Sequence, residues 1–198
     1  MSVLNLRAYA APIPAAADLA FEVEYAAERN GDALSANAFT AQASYALSKV
    51  AWAPTFTYRY AYFQGDDPAT ARHEAFDPLL PGFDDWGSWW QSEIVGEYTV
   101  ANSNLASSLV RAHVDPSDSI GVGLMLYRFI FDQSVIFASG VMVRNLVFEA
   151  DLYADWKLNS NFTASFILAF TNPDAATAQA FDRTRNFRYG IVFFAYSY

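Results

Sequence analysis

The chain has 198 residues, of which 54% are hydrophobic, 17% aromatic and 17% charged, with a net charge of −9. This length suits one domain or part of a larger one, and the acidic balance argues against a nucleic-acid binder, which needs a basic face to neutralise phosphates. With no cysteine, disulfides and thiolate metal sites are excluded. A membrane helix needs about 20 consecutive apolar residues. The longest apolar stretches, such as 120–127 and 189–196, are much shorter, so any membrane span would have to be a β-strand.

Apolar and polar residues alternate with a period of two along most of the chain, a pattern typical of strands with one apolar and one polar face. The clearest case is 18–28, where Phe21 and Val23 oppose Glu22 and Glu24. The same alternation recurs at 55–64, 146–156 and 161–171. We therefore expect one sheet face to carry the apolar side chains Leu19, Phe21, Val23, Phe56, Tyr58, Tyr60, Leu146, Phe148, Leu152, Phe166 and Leu168.

The complete pattern predicts about nine strands, at 2–10, 18–29, 35–48, 53–64, 104–114, 119–132, 144–157, 160–171 and 186–198. Each is about 9–14 residues long, the length of a tilted strand that crosses a bilayer, and is longer than a usual soluble strand. Short turns are expected at 48–51, 115–118 and 158–161, and long connections at 65–103, 133–143 and 172–185. Short turns at one end and long loops at the other are typical of outer-membrane barrels.

These features predict an all-β fold, an antiparallel transmembrane β-barrel domain over 1–198, with 65–103 as a long extracellular loop. Aromatic residues near the predicted strand ends fit an interfacial girdle, although they would also fit the core of a β-sandwich. Phe194, Tyr196 and Tyr198 alternate up to the last residue. This ending resembles the terminal aromatic signal of outer-membrane barrels, so we expect a Gram-negative outer-membrane location, with the lipid bilayer and the barrel-assembly machinery as partners.

A series of motifs occurs in a fixed order over about 140 residues. They are YRYAYF, GDD, EAFDPLL, DWG and SEIVGEY within 58–98, NSNL at 102–105, DPSDSIGVGL at 115–124, DLYADWKLNSNFTASF at 151–166, QAFDRTRNF at 179–187 and the final AYSY. In this order they resemble the C-terminal half of the bacterial alginate export family. The resemblance implies an 18-stranded barrel that exports an anionic polysaccharide, an alginate-like polyuronate, through an Arg-lined lumen.

About nine strands would form half of such a barrel, and bacterial single-chain barrels use even numbers of strands. The first 14 residues also contain no basic segment followed by an apolar run, which a secretory signal would need. We therefore expect an N-terminally truncated chain whose partners include the missing N-terminal strands.

Arg59, Arg111 and Arg128 lie in the middle of predicted strands, and Arg7 lies in the first predicted strand. A charge at the lipid midplane of a barrel costs about 2–4 kcal/mol, so we expect these side chains to face the lumen as a path for the substrate. Guanidinium groups attract anions in pores and bind carboxylates bidentately. The alternative is that each arginine only pairs with an acid on the same face, the candidates being Glu22, Glu24, Glu149, Asp151 and Asp155.

The connection 65–103 combines Asp66 and Asp67 with Trp86 and Trp89. One interpretation is a lid whose aromatic rings stack on sugars and whose acids bind a cation, although no spacing matches the twelve-residue calcium loop. The other is a solvated acidic loop anchored by aromatic residues. No zinc, phosphate-binding or nucleotide motif is present, so we expect no cofactor and no metal site.

An enzyme would have to use His73, His113 or a pair of carboxylates. A serine hydrolase needs a serine within hydrogen-bond reach of the histidine. Ser107 and His113 share a predicted strand face, but six residues of strand separate them by about 20 Å, which excludes this pair. The first interpretation is therefore a non-enzymatic outer-membrane channel, and the alternatives are an outer-membrane barrel enzyme or a soluble β-barrel binding module.

Overall fold

The computed structural model describes residues 1–10, 18–78, 91–98, 100, 102–182 and 186–197. They form one antiparallel sheet in which nine strands pair in chain order. The strands are β1 (Ser2–Ala10), β2 (Leu19–Asn30), β3 (Leu34–Ala46), β4 (Thr55–Phe63), β5 (Leu105–Ser117), β6 (Ile120–Ile136), β7 (Met142–Lys157), β8 (Phe162–Pro173) and β9 (Arg188–Tyr196). Two short helices, α1 (Val95–Tyr98) and α2 (Ala175–Ala180), lie in the connections.

The predicted all-β class and the antiparallel order of nine strands are confirmed, because period-two alternation persists through each strand. The long connection predicted at 133–143 is wrong. There β6 and β7 continue to Ile136 and Met142, and a tight turn closes the hairpin, with Gly140 at φ 77 and its N–H bonded to the Phe137 carbonyl. The pairing register shifts between Ile130 and Val135, so the strands pass the polar stretch 132–134 by a bulge instead of ending there.

The pleat sorts the side chains onto two faces. The outer face carries exposed apolar side chains, and ten of its eleven predicted members are confirmed by burial and register. The exception is Leu146, which is buried together with Val147. Leu146 falls between the residues that pair with Phe129 and Ile130, so it is the extra residue of a bulge, and counting by twos fails there.

The inner face carries nearly all of the buried side chains of the sheet. The half near the long connections is apolar and contains Phe63, Leu105, Phe129 and Val147 among other buried residues. The other half is polar and charged. The inner face of the middle strands is therefore covered, and it is where a functional site can be sought.

The two edge strands are open. Every residue of β1 and most residues of β9 are exposed, and no pairing joins β1 to β9 within the ranges given above. Phe193 lies on the inner face of β9, opposite Ser165, yet it remains 57% exposed. Unpaired strand edges present free backbone N–H and C=O groups for pairing with another strand.

Helices contribute little to the architecture. None of the helices within the described ranges has the length and the apolar character of a membrane-spanning helix. Asp174 caps α2 by accepting a hydrogen bond from the Ala175 N–H, as short polar side chains do at helix N-termini. Thr177 ties this helix to the Asn145 carbonyl of β7 at 3.0 Å.

Candidate functional site: the inner face of the sheet

The strand register places several charged residues in one row across the inner face. Residues that pair directly across neighbouring strands point to the same face, and the row runs through Glu22, Gln42, Arg59, Leu109, Tyr127, Glu149 and Thr171. The next row toward the short turns contains Thr57, Arg111, Met125 and Asp151. Arg59 and Arg111 are therefore diagonal neighbours on adjacent strands, as the prediction of a shared face requires.

Arg59 is almost completely buried. Its side chain forms a hydrogen bond with Tyr127, is repelled by the charge of Arg111 and is attracted by that of Glu22. A buried guanidinium needs hydrogen-bond acceptors or opposite charges nearby, and this row supplies both. Arg59 is thus built into the inner face.

Arg111 belongs to a cluster centred on Tyr153. Its Nε and Nη2 atoms both donate to the Tyr153 hydroxyl, at 2.8 and 2.5 Å, and its guanidinium carbon lies 5.2 Å from the ring centre. His113 stacks on the same ring and places Nδ1 2.8 Å from the hydroxyl. Because a phenol is neutral, the charge of Arg111 is not cancelled by this contact.

Gly123 makes the Tyr153 cluster possible. It pairs with His113 on one side and with Tyr153 on the other, so the ring crosses the strand over a position that has no side chain. A Cβ atom at Gly123 would lie 2.3 Å from the Tyr153 ring, far inside van der Waals contact. Glycine inside a strand often marks such a close approach.

Arg7 also lies on the inner face, opposite Glu24, but at the open edge of the sheet. It forms an ion pair with Glu22, and the neighbouring Asn5 donates to Glu24 at 2.8 Å. This is the pairing alternative considered for the strand arginines. Arg7 is far along the sheet from Arg59 and Arg111, because β1 and β4 are separated by two strands.

Arg128 lies on the outer face, and the expectation that it faces the lumen is wrong. It pairs with Ser108 and Phe148, whereas the buried residues of β6 are its neighbours Tyr127 and Phe129. Its Nη2 atom is 2.5 Å from Asp174 Oδ2. The cost of an outward charge is met by this ion pair beside the end of β8.

Two buried carboxylates of β7 hold part of the connection 65–103 against the inner face. Glu149 accepts hydrogen bonds from the backbone N–H groups of Ile94 and Val95, at 2.7 and 2.9 Å. Asp151 accepts from Glu93 N–H at 3.4 Å. These contacts bring 91–95 into the interior, so this part of the predicted extracellular loop does not project outward.

A second anchor lies on β2. Glu28 is fully buried and accepts a hydrogen bond from the Asp77 N–H at 2.9 Å. Nearby, the His73 carbonyl accepts from Ser35 N–H and the His73 N–H donates to the Ala33 carbonyl. The described start of the connection therefore covers the end of β2 and the start of β3.

Asp66 and Asp67 organise the first turn of this connection. Asp66 accepts from the Glu74 N–H at 2.6 Å and lies 3.3 Å from His73, and the Glu74 hydrogen bond lowers the pKa of the Asp66 carboxyl. Asp67 accepts from the Ala69 N–H. Trp86 and Trp89 fall outside the described residues. Within the described ranges, no three metal-binding side chains come together.

The pair excluded for catalysis is also separate in the structure. Ser107 donates to Gln91 at 2.5 Å, whereas His113 contacts Tyr153 and Asp115. The residues that sequence reasoning missed are Tyr153, Gly123 and the amide-binding roles of Glu28 and Glu149. A glycine in the middle of the predicted strand 119–132, with a tyrosine on a neighbouring strand, was the available signal for the first two.

Comparison with known proteins finds no matching protein-family model and no matching curated protein. Among solved structures, the chain is similar to the NanC porin, with 11% sequence identity and a TM-score of 0.42 over 88% of this chain and 70% of that one. Membership of the alginate export family, which the series of sequence motifs suggests, thus stays a prediction.

Proposed function

We propose that this chain forms part of the wall of an outer-membrane β-barrel channel that passes an anionic polysaccharide, with Arg59 and Arg111 on the substrate path. The observation that carries the proposal is the sorting of side chains by the pleat. Exposed Phe, Leu, Val and Tyr side chains cover the outer face from β2 to β9, while buried charged and polar side chains occupy the inner face. Soluble monomers rarely expose apolar patches of this extent, whereas a barrel wall requires them.

Acidic residues outnumber arginines on the inner face, but most of these acids are already engaged. Glu28 and Glu149 accept backbone amides, Glu22 binds Arg7, and Asp155 accepts from Ser165. Arg111 is bound by a neutral phenol and forms no ion pair with any carboxylate of the described residues. An anionic chain would therefore be attracted to the middle of the sheet, at β4 and β5.

We propose a polyuronate as the substrate because the series of sequence motifs resembles the alginate export family. A guanidinium group matches the carboxylate of each sugar bidentately, which favours arginine over lysine for this task. Closure of the barrel requires further strands on the open edges of β1 and β9, and we propose that preceding strands supply them. The barrel-assembly machinery and the lipid bilayer are partners in the same proposal.

Charge reversal tests the substrate path. We expect Arg111→Glu and Arg59→Glu to lower the anion preference of the protein, taken in its native assembly, in planar bilayers, because attraction is replaced by repulsion. Block of the current by soluble uronate oligomers should weaken as well. Salt should reduce the effects of Arg111→Glu more than those of Arg59→Glu, since exposed charges are screened over about 8 Å at physiological ionic strength and Arg59 is almost completely buried.

The control is Arg128→Gln, which removes a charge on the outer face without placing a second carboxylate beside Asp174. It should leave both ion preference and block by oligomers as they are in the parent protein. Unchanged selectivity in Arg111→Glu would contradict the proposed path. An equal loss in Arg128→Gln would show that the effect is not specific to the inner face.

A further inference from the structure

Two buried glutamates, one toward each side of the sheet, accept hydrogen bonds from backbone N–H groups of the connection between β4 and β5. Glu28 on β2 binds the Asp77 N–H, and Glu149 on β7 binds the N–H groups of Ile94 and Val95. These two strands are separated by four others, about 24 Å along a sheet with a strand spacing of about 4.8 Å. The connection between β4 and β5 is therefore fastened near both sides of the inner face.

The segment 91–95 reaches the middle of the strands. Glu149 occupies the same row as Arg59 and Tyr127, so its amide partners lie at the depth of the proposed substrate path. Gln91, Ser92, Ile94 and Val95 are all buried there. A passage along the inner face has to pass this segment.

We propose that Glu149 is a positioning residue that holds segment 91–95 across the inner face as the constriction of the channel. The role of the segment as a constriction rests on the proposed channel function, but its positioning by Glu149 is tested independently. Both carboxylate oxygens are used on neighbouring amides, at 2.7 and 2.9 Å, and charge-assisted hydrogen bonds are stronger than neutral ones. Their loss would leave the buried N–H groups without acceptors, which is costly.

The segment has further polar contacts. Asp151 receives the Glu93 N–H at 3.4 Å, and Gln91 accepts from Ser107. Gly96 N–H donates to Ser92 Oγ within the segment itself. The segment belongs to no strand ladder, and Glu149 binds two of its backbone N–H groups at once.

Cysteine protection measures the position of the segment directly. The chain has no native cysteine, and Ile94 is only 7% exposed, so Ile94→Cys should react slowly with a water-soluble thiol reagent. We expect Glu149→Ala in this background to speed the reaction at least tenfold. Glu149→Gln keeps one carbonyl acceptor and should give partial rescue, with an intermediate rate.

Two controls separate release of the segment from loss of the fold. Val143→Cys, fully buried on β7 beside the turn to β6, should stay protected in the Glu149→Ala background if the sheet is intact. Asp155→Ala removes another inner-face acid whose partner is Ser165, and it should leave the Ile94→Cys rate unchanged. Gln91→Ala offers a milder variant and should speed the reaction less than Glu149→Ala.

The conductance of the assembled protein provides the second readout. Glu149→Ala should increase single-channel conductance if the released segment had narrowed the path. A labelling rate equal to that of the parent chain would overturn the positioning role. Faster labelling without any conductance in either protein would support the positioning role and overturn the proposed channel, which keeps the two failures distinguishable.

Discussion

Leu168→Arg should destabilise the protein in a lipid bilayer by about 2–4 kcal/mol, the cost of a charge on the lipid face of a barrel. Leu168 lies in the middle of β8, is 50% exposed, and has Phe166 and Phe170 as neighbours on the outer face. On a water-exposed surface the same substitution would change stability by only about 0.5 kcal/mol. Equilibrium urea unfolding in liposomes measures the difference.

The matched control for this prediction is Leu158→Arg. Leu158 has a similar exposure, 43%, but lies in the turn between β7 and β8, beyond the predicted hydrocarbon region. Its substitution should cost less than about 1 kcal/mol, as charges near the interfaces of barrels do. If both variants unfold like the parent protein, the outer face does not contact lipid, and a soluble sheet becomes the better interpretation.

Strand positions were predictable because one physical pattern repeats in each strand. In β2, β4 and β8, and in β7 after Leu146, most apolar and polar residues separate by parity, so both the strands and their outer faces followed from the sequence. The alternation fails where an extra residue changes which face the following residues point to. The bulge at Leu146 and the register shift before Val135 each alter the count, and no periodicity predicts an extra residue.

The face of Arg128 could not be predicted for a different reason. Strand β6 is apolar on both faces, with Leu124 and Leu126 on one and Met125 and Phe129 on the other, so parity gave no guidance. The energetic argument that sends a charge inward assumed an unpaired side chain. Asp174 supplies the partner, and it comes from a connection 46 residues further along the chain.

The amide contacts of Glu149 were hidden for a similar reason. Glu149 and Ile94 are separated by 55 residues, and a glutamate on the polar face of a strand looks the same in the sequence whether it faces water or a backbone amide. Only the path of the connection decides between these two environments. The burial of Glu28 and Glu149 therefore carries information that composition and alternation do not contain.

The Tyr153 cluster leads to the second large effect, expected for Gly123→Val. The added Cβ would lie 2.3 Å from the Tyr153 ring, so the ring must leave its place over the strand. Overpacking of this kind costs about 1–3 kcal/mol, and the ring also gives up its contacts with Arg111 and His113, at about 0.5–1.5 kcal/mol for each hydrogen bond. Chemical denaturation of the variant should show a loss of several kcal/mol.

A double-mutant cycle isolates the steric cause of that loss. Gly123→Ala and Tyr153→Ala should each destabilise the protein, but together they should cost less than the sum by about 1–3 kcal/mol, since the ring that the new methyl group meets is gone. Gly190→Ala is the control on another strand, where the nearest atom is the flexible end of Leu168 at 3.3 Å, and it should be nearly neutral. Additive costs in the cycle would mean that the ring does not rest on Gly123, and Arg111 would then need another partner on the inner face.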